Sequence, residues 1–286
     1  MEWLSKSKIL IVGLGLMGGS YAKALGRIGF SVTAIDTNEN SIAYAKEHGM
    51  IDDGYTYPDE KAIGEADAII FALYPRVFVE WIRENQRFFK SGAMITDVTG
   101  VKSPIVYRIQ DMLRGDVEFV AAHPMAGREV YGVENSDDRI FRDANYIIVK
   151  TDKNTDAGIE WCRSLGHLIG CTHTPVVLPE EHDEMIGFVS QLTHCIAIAL
   201  MTCSDNGHLA EYTGDSFRDL TRIARINDAM WSELFLMNRA PLLHQMDTFI
   251  KECTELRDML CREDSEGLRA KMRLSTERRA LFDKKK

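Results

Sequence analysis

Through the first 177 residues the chain alternates between short strand-like runs, apolar at every position in 9–12 and 68–73 and mostly apolar elsewhere, and segments whose apolar residues recur at helical spacing. The runs fall at 9–12, 31–35, 68–73 (AIIFAL), 93–98 (AMITDV), 118–122, 146–150 and 172–177. A run apolar on both faces marks a strand covered on both sides, as in a parallel sheet. The intervening segments predict helices over 17–28, 39–48, 75–89, 103–113 and 156–169, while DDGYTYPDE at 52–60 reads as a loop. Strands alternating with helices predict a doubly wound, mostly parallel α/β sheet with right-handed crossovers. Beyond Pro179 the strand pattern stops. Helices are expected over 180–204, 215–224 and 229–261 (one or two there), followed by a charged closing helix, with 206–214 irregular. The expected organisation is an α/β domain over 1–177 and an all-helical domain over 178–286.

The first apolar run ends in a glycine-rich turn, KILIVGLGLMGGS. Gly13, Gly15 and Gly18 stand at the G-x-G-x-x-G spacing, between a strand and a helix. In that setting the first glycine permits the tight turn and the second admits a pyrophosphate. The third lets the helix pack against the strand with its N-terminus on the phosphates. Asp36 ends the second strand, twenty-one residues past Gly15, where a carboxylate grips a ribose 2′-hydroxyl and repels a 2′-phosphate. No arginine follows it directly. The cofactor expected for this Rossmann-like domain is therefore NAD. Ligands in such sheets bind beyond the carboxyl ends of the strands, so Leu73-Tyr74, 97–102 and 123–129 should line one crevice. The expected cofactor contacts are Gly13, Gly15, Leu16, Met17, Gly18, Asp36, Leu73 and Thr99.

Composition narrows the partners. A chain of 286 residues with 45% hydrophobic and 27% charged residues is ordinary for a globular protein with a sizeable core. A net charge of −9 argues against nucleic-acid or membrane-surface binding, so an anionic substrate would need a local cluster of arginine or histidine. The longest apolar run, 195–201, is too short to span a bilayer. The six cysteines include no C-x-x-C pair and several lie among apolar residues, as buried free thiols do. The first strand begins too early to leave room for a signal peptide, so a cytoplasmic protein is expected. The terminal DKKK is expected to be a solvated end, and no clustered metal-ligand spacing is present. Apolar stripes on a helical segment of this size predict burial against a second subunit, a homodimer.

Three groups carry candidate chemistry. His123 ends a strand, precedes Pro124 and faces the crevice; a histidine there is suited to accept a proton near neutral pH, against the alternative of a core histidine. Asp183, Gly187, Ser190 and His194 stand at i, i+4, i+7 and i+11, with Gln191 beside them, a polar stripe on an otherwise apolar helix. Arg218, Arg222 and Arg225 share one expected helix face, where Asp219 can pair with Arg222. Such a cluster is a candidate carboxylate clamp, one arginine functional and the others structural.

Taken in order, GLGLMGGS, DVTGVKS, AHPMAGRE, EEHDEMIGFVSQLTH and FRDLTRIARINDAMW resemble the prephenate and arogenate dehydrogenases along nearly the whole chain. The resemblance implies a Rossmann domain followed by a helical dimerisation domain, and oxidative decarboxylation of a cyclohexadienyl acid with NAD. It implies that His123 takes the ring-hydroxyl proton, that Arg222 clamps the ring carboxylate and that His194 binds substrate, with Ser190 and Gln191 alongside. Glu129 and Asp219 correspond to acids around the clamp, Trp231 to a tryptophan closing the pocket, and Asp183 to an orienting partner of the histidine. Two positions depart from the pattern. Gly100 stands where many members have a serine that bonds the ring hydroxyl, leaving Thr99 as a neighbouring substitute. Arg128 stands where threonine is common, which bears on the choice between prephenate and arogenate. No regulatory ACT domain or fused chorismate mutase is expected, so any tyrosine inhibition would act at the active site. Other readings are β-hydroxyacid dehydrogenases, whose catalytic lysine in the helical domain would leave HPMAGRE unexplained, pyrroline-5-carboxylate reductases, and a non-catalytic NAD-binding regulator.

Overall fold

The computed structural model describes residues 7–281. The expectations for the extreme N-terminus and for the DKKK tail lie outside the described residues. The chain divides into two compact units, one through Asn238 and one from Arg239.

The first unit opens with β1 (Lys8–Val12), α1 (Leu16–Arg27), β2 (Ser31–Ile35), α2 (Glu39–Glu47), β3 (Asp53–Tyr55), α3 (Glu60–Glu65), β4 (Ala68–Phe71), α4 (Pro75–Asn85), β5 (Met94–Asp97), α5 (Ser103–Met112) and β6 (Glu118–Phe119). These strands form one parallel sheet in the order β3-β2-β1-β4-β5-β6, the doubly wound arrangement with its switch point between β1 and β4. The apolar runs have a direct explanation in packing. Ile9 and Ile11 enter the core cluster on one face of β1, whereas Leu10 and Val12 enter the cluster on the other. Each buried aliphatic side chain contributes roughly 1.5–3 kcal/mol, so both faces must be covered. Polar side chains set helix starts: Asn38 accepts from Asn40 N–H at 3.0 Å and Asp59 from Ala62 N–H at 2.8 Å.

Three expectations are corrected here. The segment 52–60 is not all loop, because Asp53–Tyr55 adds an edge strand beside Thr33–Ile35. The run 118–122 is not one strand. The chain leaves the parallel sheet after Phe119 and starts β7 (Ala121–Pro124), which pairs antiparallel with β8 (Tyr146–Val149). No glycine marks this change of partner in EFVAAH, so the pattern looked continuous. In 172–177 only β9 (Val176–Val177) is strand, with one bridge from His173 to Asn145; Pro175, which lacks an N–H, separates the two. Strands β7-β8-β9 form a second, three-stranded sheet, and α6 (Asp156–Ile169) lies between β8 and β9 in the chain.

Helix α7 (Pro179–Thr202) follows, and its six residues Gly187–Leu192 adopt π-helical turns. By length and mean hydropathy (1.6) this helix could cross a membrane, which the shorter run 195–201 did not suggest. Its buried polar residues His182, Asp183 and Gln191 instead hydrogen-bond to neighbouring parts of the same unit. Then come α8 (Leu209–Tyr212), within the segment expected to be irregular, α9 (Asp215–Thr221) and α10 (Asp228–Met237). The second unit comprises α11 (Arg239–Cys261) and α12 (Ser265–Ala280), tied by Lys271 to Glu252 and Glu255 at 2.8 Å each. All six cysteines are free, but only Cys162 and Cys171 are buried; Cys203, Cys253 and Cys261 are exposed.

One buried ion pair ties the two sheets. Lys102 and Asp97 are fully buried, their charges 2.7 Å apart. The Lys102 ammonium also donates to the Ala122 carbonyl at 2.6 Å, while Asp97 accepts from Ala122 N–H at 3.2 Å. The end of β5 is thereby fastened to the residue preceding His123. Removing one partner leaves an uncompensated buried charge. Lys102→Met should lower unfolding stability by about 3–5 kcal/mol in urea titrations. Lys8→Met, which breaks the exposed pair of Lys8 with Glu65, should leave the denaturation midpoint unmoved.

Candidate active site

The site lies beyond the carboxyl ends of β1, β4 and β5, in a cavity of about 720 Å³ whose far wall is built by α7 and α10. The glycine turn has the shape that a dinucleotide requires. Gly13 sits at φ +99°, and a Cβ there would stand 2.5 Å from the Ala72 carbonyl oxygen. A Cβ on Gly18 would stand 1.8 Å from the Gly13 carbonyl oxygen, so both positions need glycine. A Cβ on Gly15 would meet nothing within 4 Å. That open space lies at the N-terminus of α1, where a pyrophosphate can reach the backbone. Asp36 accepts from Leu14 N–H at 2.6 Å and from Asn38 N–H at 2.8 Å, which holds its carboxylate beside the turn. Leu16, Met17, Leu73 and Thr99 line the same cavity. These residues fit NAD.

His123 projects from β7 into the cavity. Burial, with His182 and the Lys102 ammonium nearby, pulls its pKa well below the ordinary histidine value, so the ring is neutral at pH 7. His123 Nδ1 lies 2.9 Å from Nε2 of His182, and His182 Nδ1 lies 2.7 Å from Asp183 Oδ1. Asp183, expected as the direct partner of His123, therefore reaches it only through His182. The same carboxylate accepts from the backbone N–H groups of Lys102 and Ser103 at 2.8 Å each, capping α5 from another helix. Burial opposes its ionisation, but the bonds from His182 and the two N–H groups outweigh that and hold its pKa below the usual range.

Thr99 does not present its hydroxyl to the cavity as a stand-in for the missing serine. It donates to Asp97, and the Thr99 N–H donates to the same oxygen at 3.0 Å. Nothing crowds Gly100. A Cβ there would be 3.9 Å from His123 Cε1 and 3.6 Å from Leu234 Cδ1, ordinary contacts, so a serine hydroxyl would fit beside the imidazole.

The opposite wall is set by the π segment of α7, which shifts the register expected from a continuous α-helix. Ser190, Gln191 and His194 line the cavity, but Asp183 and Gly187 of the expected stripe do not. Gln191 spends its amide internally: it donates to the Leu234 carbonyl at 3.2 Å and accepts from Asn238 at 2.7 Å. His194 stacks on Trp231 with ring centroids 3.7 Å apart, and burial lowers its pKa.

The arginine cluster is rearranged. Helix α9 stops at Thr221 and Arg222–Ala224 is a tighter 3₁₀ turn, so the three arginines do not share one face. Arg222 and Arg225 line the cavity, whereas Arg218 pairs with Asp215 at 3.3 Å on the surface. Asp219 is exposed and is not the partner of Arg222, which pairs with Glu129 at 2.5 Å. Arg128 lines the cavity and pairs with Asp137 at 2.7 Å. The sequence points to no role for His182 or Lys102, and it offers Arg225 only as one member of the arginine cluster. His182 was missed because it lies one residue off the stripe, although the buried HD pair in EEHDE was its only local signal. Among the described residues no group of three or more His, Cys, Asp or Glu side chains is placed to hold a metal ion.

Comparison with known proteins places the fold in a family. Residues 21–172 match the prephenate dehydrogenase nucleotide-binding domain and residues 178–274 the prephenate dehydrogenase dimerization domain. Prephenate dehydrogenase of Bacillus subtilis is 30% identical over 274 residues, spanning 92% of this chain and 72% of that protein. The enzyme of Lactococcus lactis is 31% identical, spanning 91% and 73%. Among solved structures, prephenate dehydrogenase from A. aeolicus in complex with hydroxyphenyl propionate and NAD+ superposes with a TM-score of 0.89 at 30% identity, covering 98% of this chain and 99% of that one. With both family domains matched in order and relatives of this similarity along nearly its whole length, the chain belongs to the prephenate dehydrogenase family.

Proposed function

We propose that this protein is an NAD-dependent prephenate dehydrogenase, converting prephenate to 4-hydroxyphenylpyruvate, CO₂ and NADH in tyrosine biosynthesis. The observation that carries this reading is the convergence, on one cavity, of the glycine turn, a neutral His123 and the Arg222 and His194 wall. NAD held by the glycine turn and Asp36 would supply the hydride acceptor for the ring carbon that bears the hydroxyl. His123 takes the hydroxyl proton as that hydride leaves. The bond to the ring carboxylate then breaks, its electron pair completes the aromatic ring, and the proton returns to the phenolate oxygen. Aromatisation supplies much of the driving force, so the chain's task is to orient substrate and hold one proton.

In this reading Arg222, braced by Glu129, clamps the ring carboxylate, and His194, held against Trp231, touches the substrate. Ser190 and Arg128 complete the substrate wall, and Gln191 supports it from behind. Asp219 has no part, since it is exposed and away from the cavity. The working division is a cofactor domain over 1–177 and a substrate and dimerisation domain over 178–286, in line with the two matched family segments. A homodimer is supported by the dimerization-domain match and by exposed Phe188, Val189, Phe249 and Ile250. A cytoplasmic location is supported by six free thiols, two of which burial pushes up to about 12.

The direct test is NADH formation by the purified protein with NAD and either prephenate or arogenate. Turnover of prephenate carries the reading. Preference for arogenate moves the substrate to the amino acid, and silence with both leaves an NAD-binding regulator. His123→Asn should lower kcat by roughly 10²–10⁴-fold while NAD affinity, read by fluorescence titration, stays put. Because the base works as the neutral ring and its pKa is lowered, kcat/KM should be flat through pH 7 and fall only below about pH 6.5. Arg222→Gln should raise KM for the acid by about tenfold or more, the worth of one charge-assisted contact, and leave NAD affinity unchanged.

A further inference from the structure

We infer that His182 is the positioning residue that fixes His123 in the tautomer with its proton on Nδ1, which leaves Nε2 as the atom that receives the substrate's proton. The inference rests on the proposed dehydrogenase reading and adds to it a residue with no substrate contact. It follows from donor and acceptor capacities along one row of side chains. The Asp183 carboxylate can only accept, and it is held in place by the backbone N–H groups of Lys102 and Ser103 at 2.8 Å. The 2.7 Å contact to it therefore places a proton on His182 Nδ1. A neutral His182 then offers only a lone pair at Nε2. The 2.9 Å contact from His123 Nδ1 to that atom must be an N–H donated by His123.

The surroundings keep His182 neutral. It is buried; burial lowers its pKa, Asp183 partly offsets this, and the Lys102 ammonium opposes a second positive charge. The remaining charge facing this row is Asp97, which is already paired with Lys102. When His123 becomes an imidazolium during turnover, its Nδ1–H keeps an acceptor whose far side rests on a carboxylate. This is the arrangement by which a buried carboxylate orients and supports a catalytic imidazole, here extended by one ring. Anchoring comes from three elements, since β7 carries His123, α7 carries His182 and Asp183, and α5 supplies the N–H groups.

The test uses two substitutions and one spectroscopic readout on the full chain. His182→Leu removes both ring nitrogens and should lower kcat at least about tenfold, with KM for prephenate and NAD affinity within twofold of wild type. His182→Gln places a carbonyl oxygen near the former Nε2, so it should recover most of that loss. Nitrogen-15 NMR of labelled protein should show His123 protonated at Nδ1 in wild type and His182→Gln. In His182→Leu the Nε2–H form should be populated. Equal impairment of both variants with an unchanged His123 tautomer would reduce His182 to packing and overturn the inference. So would full activity of His182→Leu, or a wild-type His123 protonated at Nε2. If the wild type turns over neither acid, the dehydrogenase reading fails, while the tautomer measurement still decides this one.

Discussion

The buried pair of Lys102 and Asp97 is the constraint on which the rest of the site depends. Two full charges inside a protein are costly unless every lone pair and proton is matched. Here the ammonium has Asp97, the Ala122 carbonyl and Thr99, and Asp97 has the N–H groups of Thr99 and Ala122 as well. Hydrophobic side chains of similar volume would fill the space but would not specify where β7 meets β5. That junction decides the direction in which His123 leaves its strand. The same lysine begins α5, and its backbone N–H binds the carboxylate that steadies His182. One residue thus fixes His123 from two directions, through the strand that bears it and through the row of side chains behind it.

The opposite wall is set by a backbone irregularity. A regular α-helix from Pro179 to Thr202 would place Asp183, Gly187, Ser190 and His194 along one line. The π turns at Gly187–Leu192 break that line. Asp183 faces α5, while Ser190 and His194 face the cavity. Irregular turns of this kind recur at functional sites because they re-aim side chains without ending a helix. Their backbone is supported here by buried Gln191 and Asn238, whose amides bond to each other and to the Leu234 and Asp183 carbonyls. Charge follows the same economy. The chain carries a net −9, yet Arg128, Arg222 and Arg225 gather around one cavity, the first two braced by Asp137 and Glu129, so guanidinium donors stand within it despite the overall charge.

Legibility in the sequence followed the range of the interaction responsible. The main sheet was readable because Ile9 to Val12 and Ala68 to Phe71 must be apolar on both faces, a property of each strand alone. The cofactor turn was readable because a left-handed Gly13 and a crowded Gly18 are backbone requirements within a few residues. The family motifs brought His123, Arg222, Glu129 and Trp231 to attention, and all four line the cavity. Local pattern misled wherever the deciding partner was distant in the chain. Glu129 displaced Asp219 as the partner of Arg222 from 93 residues away. Thr99 turned to Asp97 because a buried lysine had already organised that carboxylate. The split between β6 and β7 came from pairing with β8, which no residue of 118–124 announces.

The sequence by itself determined the strand and helix alternation, the dinucleotide turn and the presence of a histidine at a strand end, since periodicity and glycine geometry are local. Only the tertiary structure decided which nitrogen of that histidine is left towards the cavity. Hydrogen-bond direction is handed from the α5 backbone to Asp183, then to His182, then to His123, and such a chain of donors exists only once the three elements are packed together.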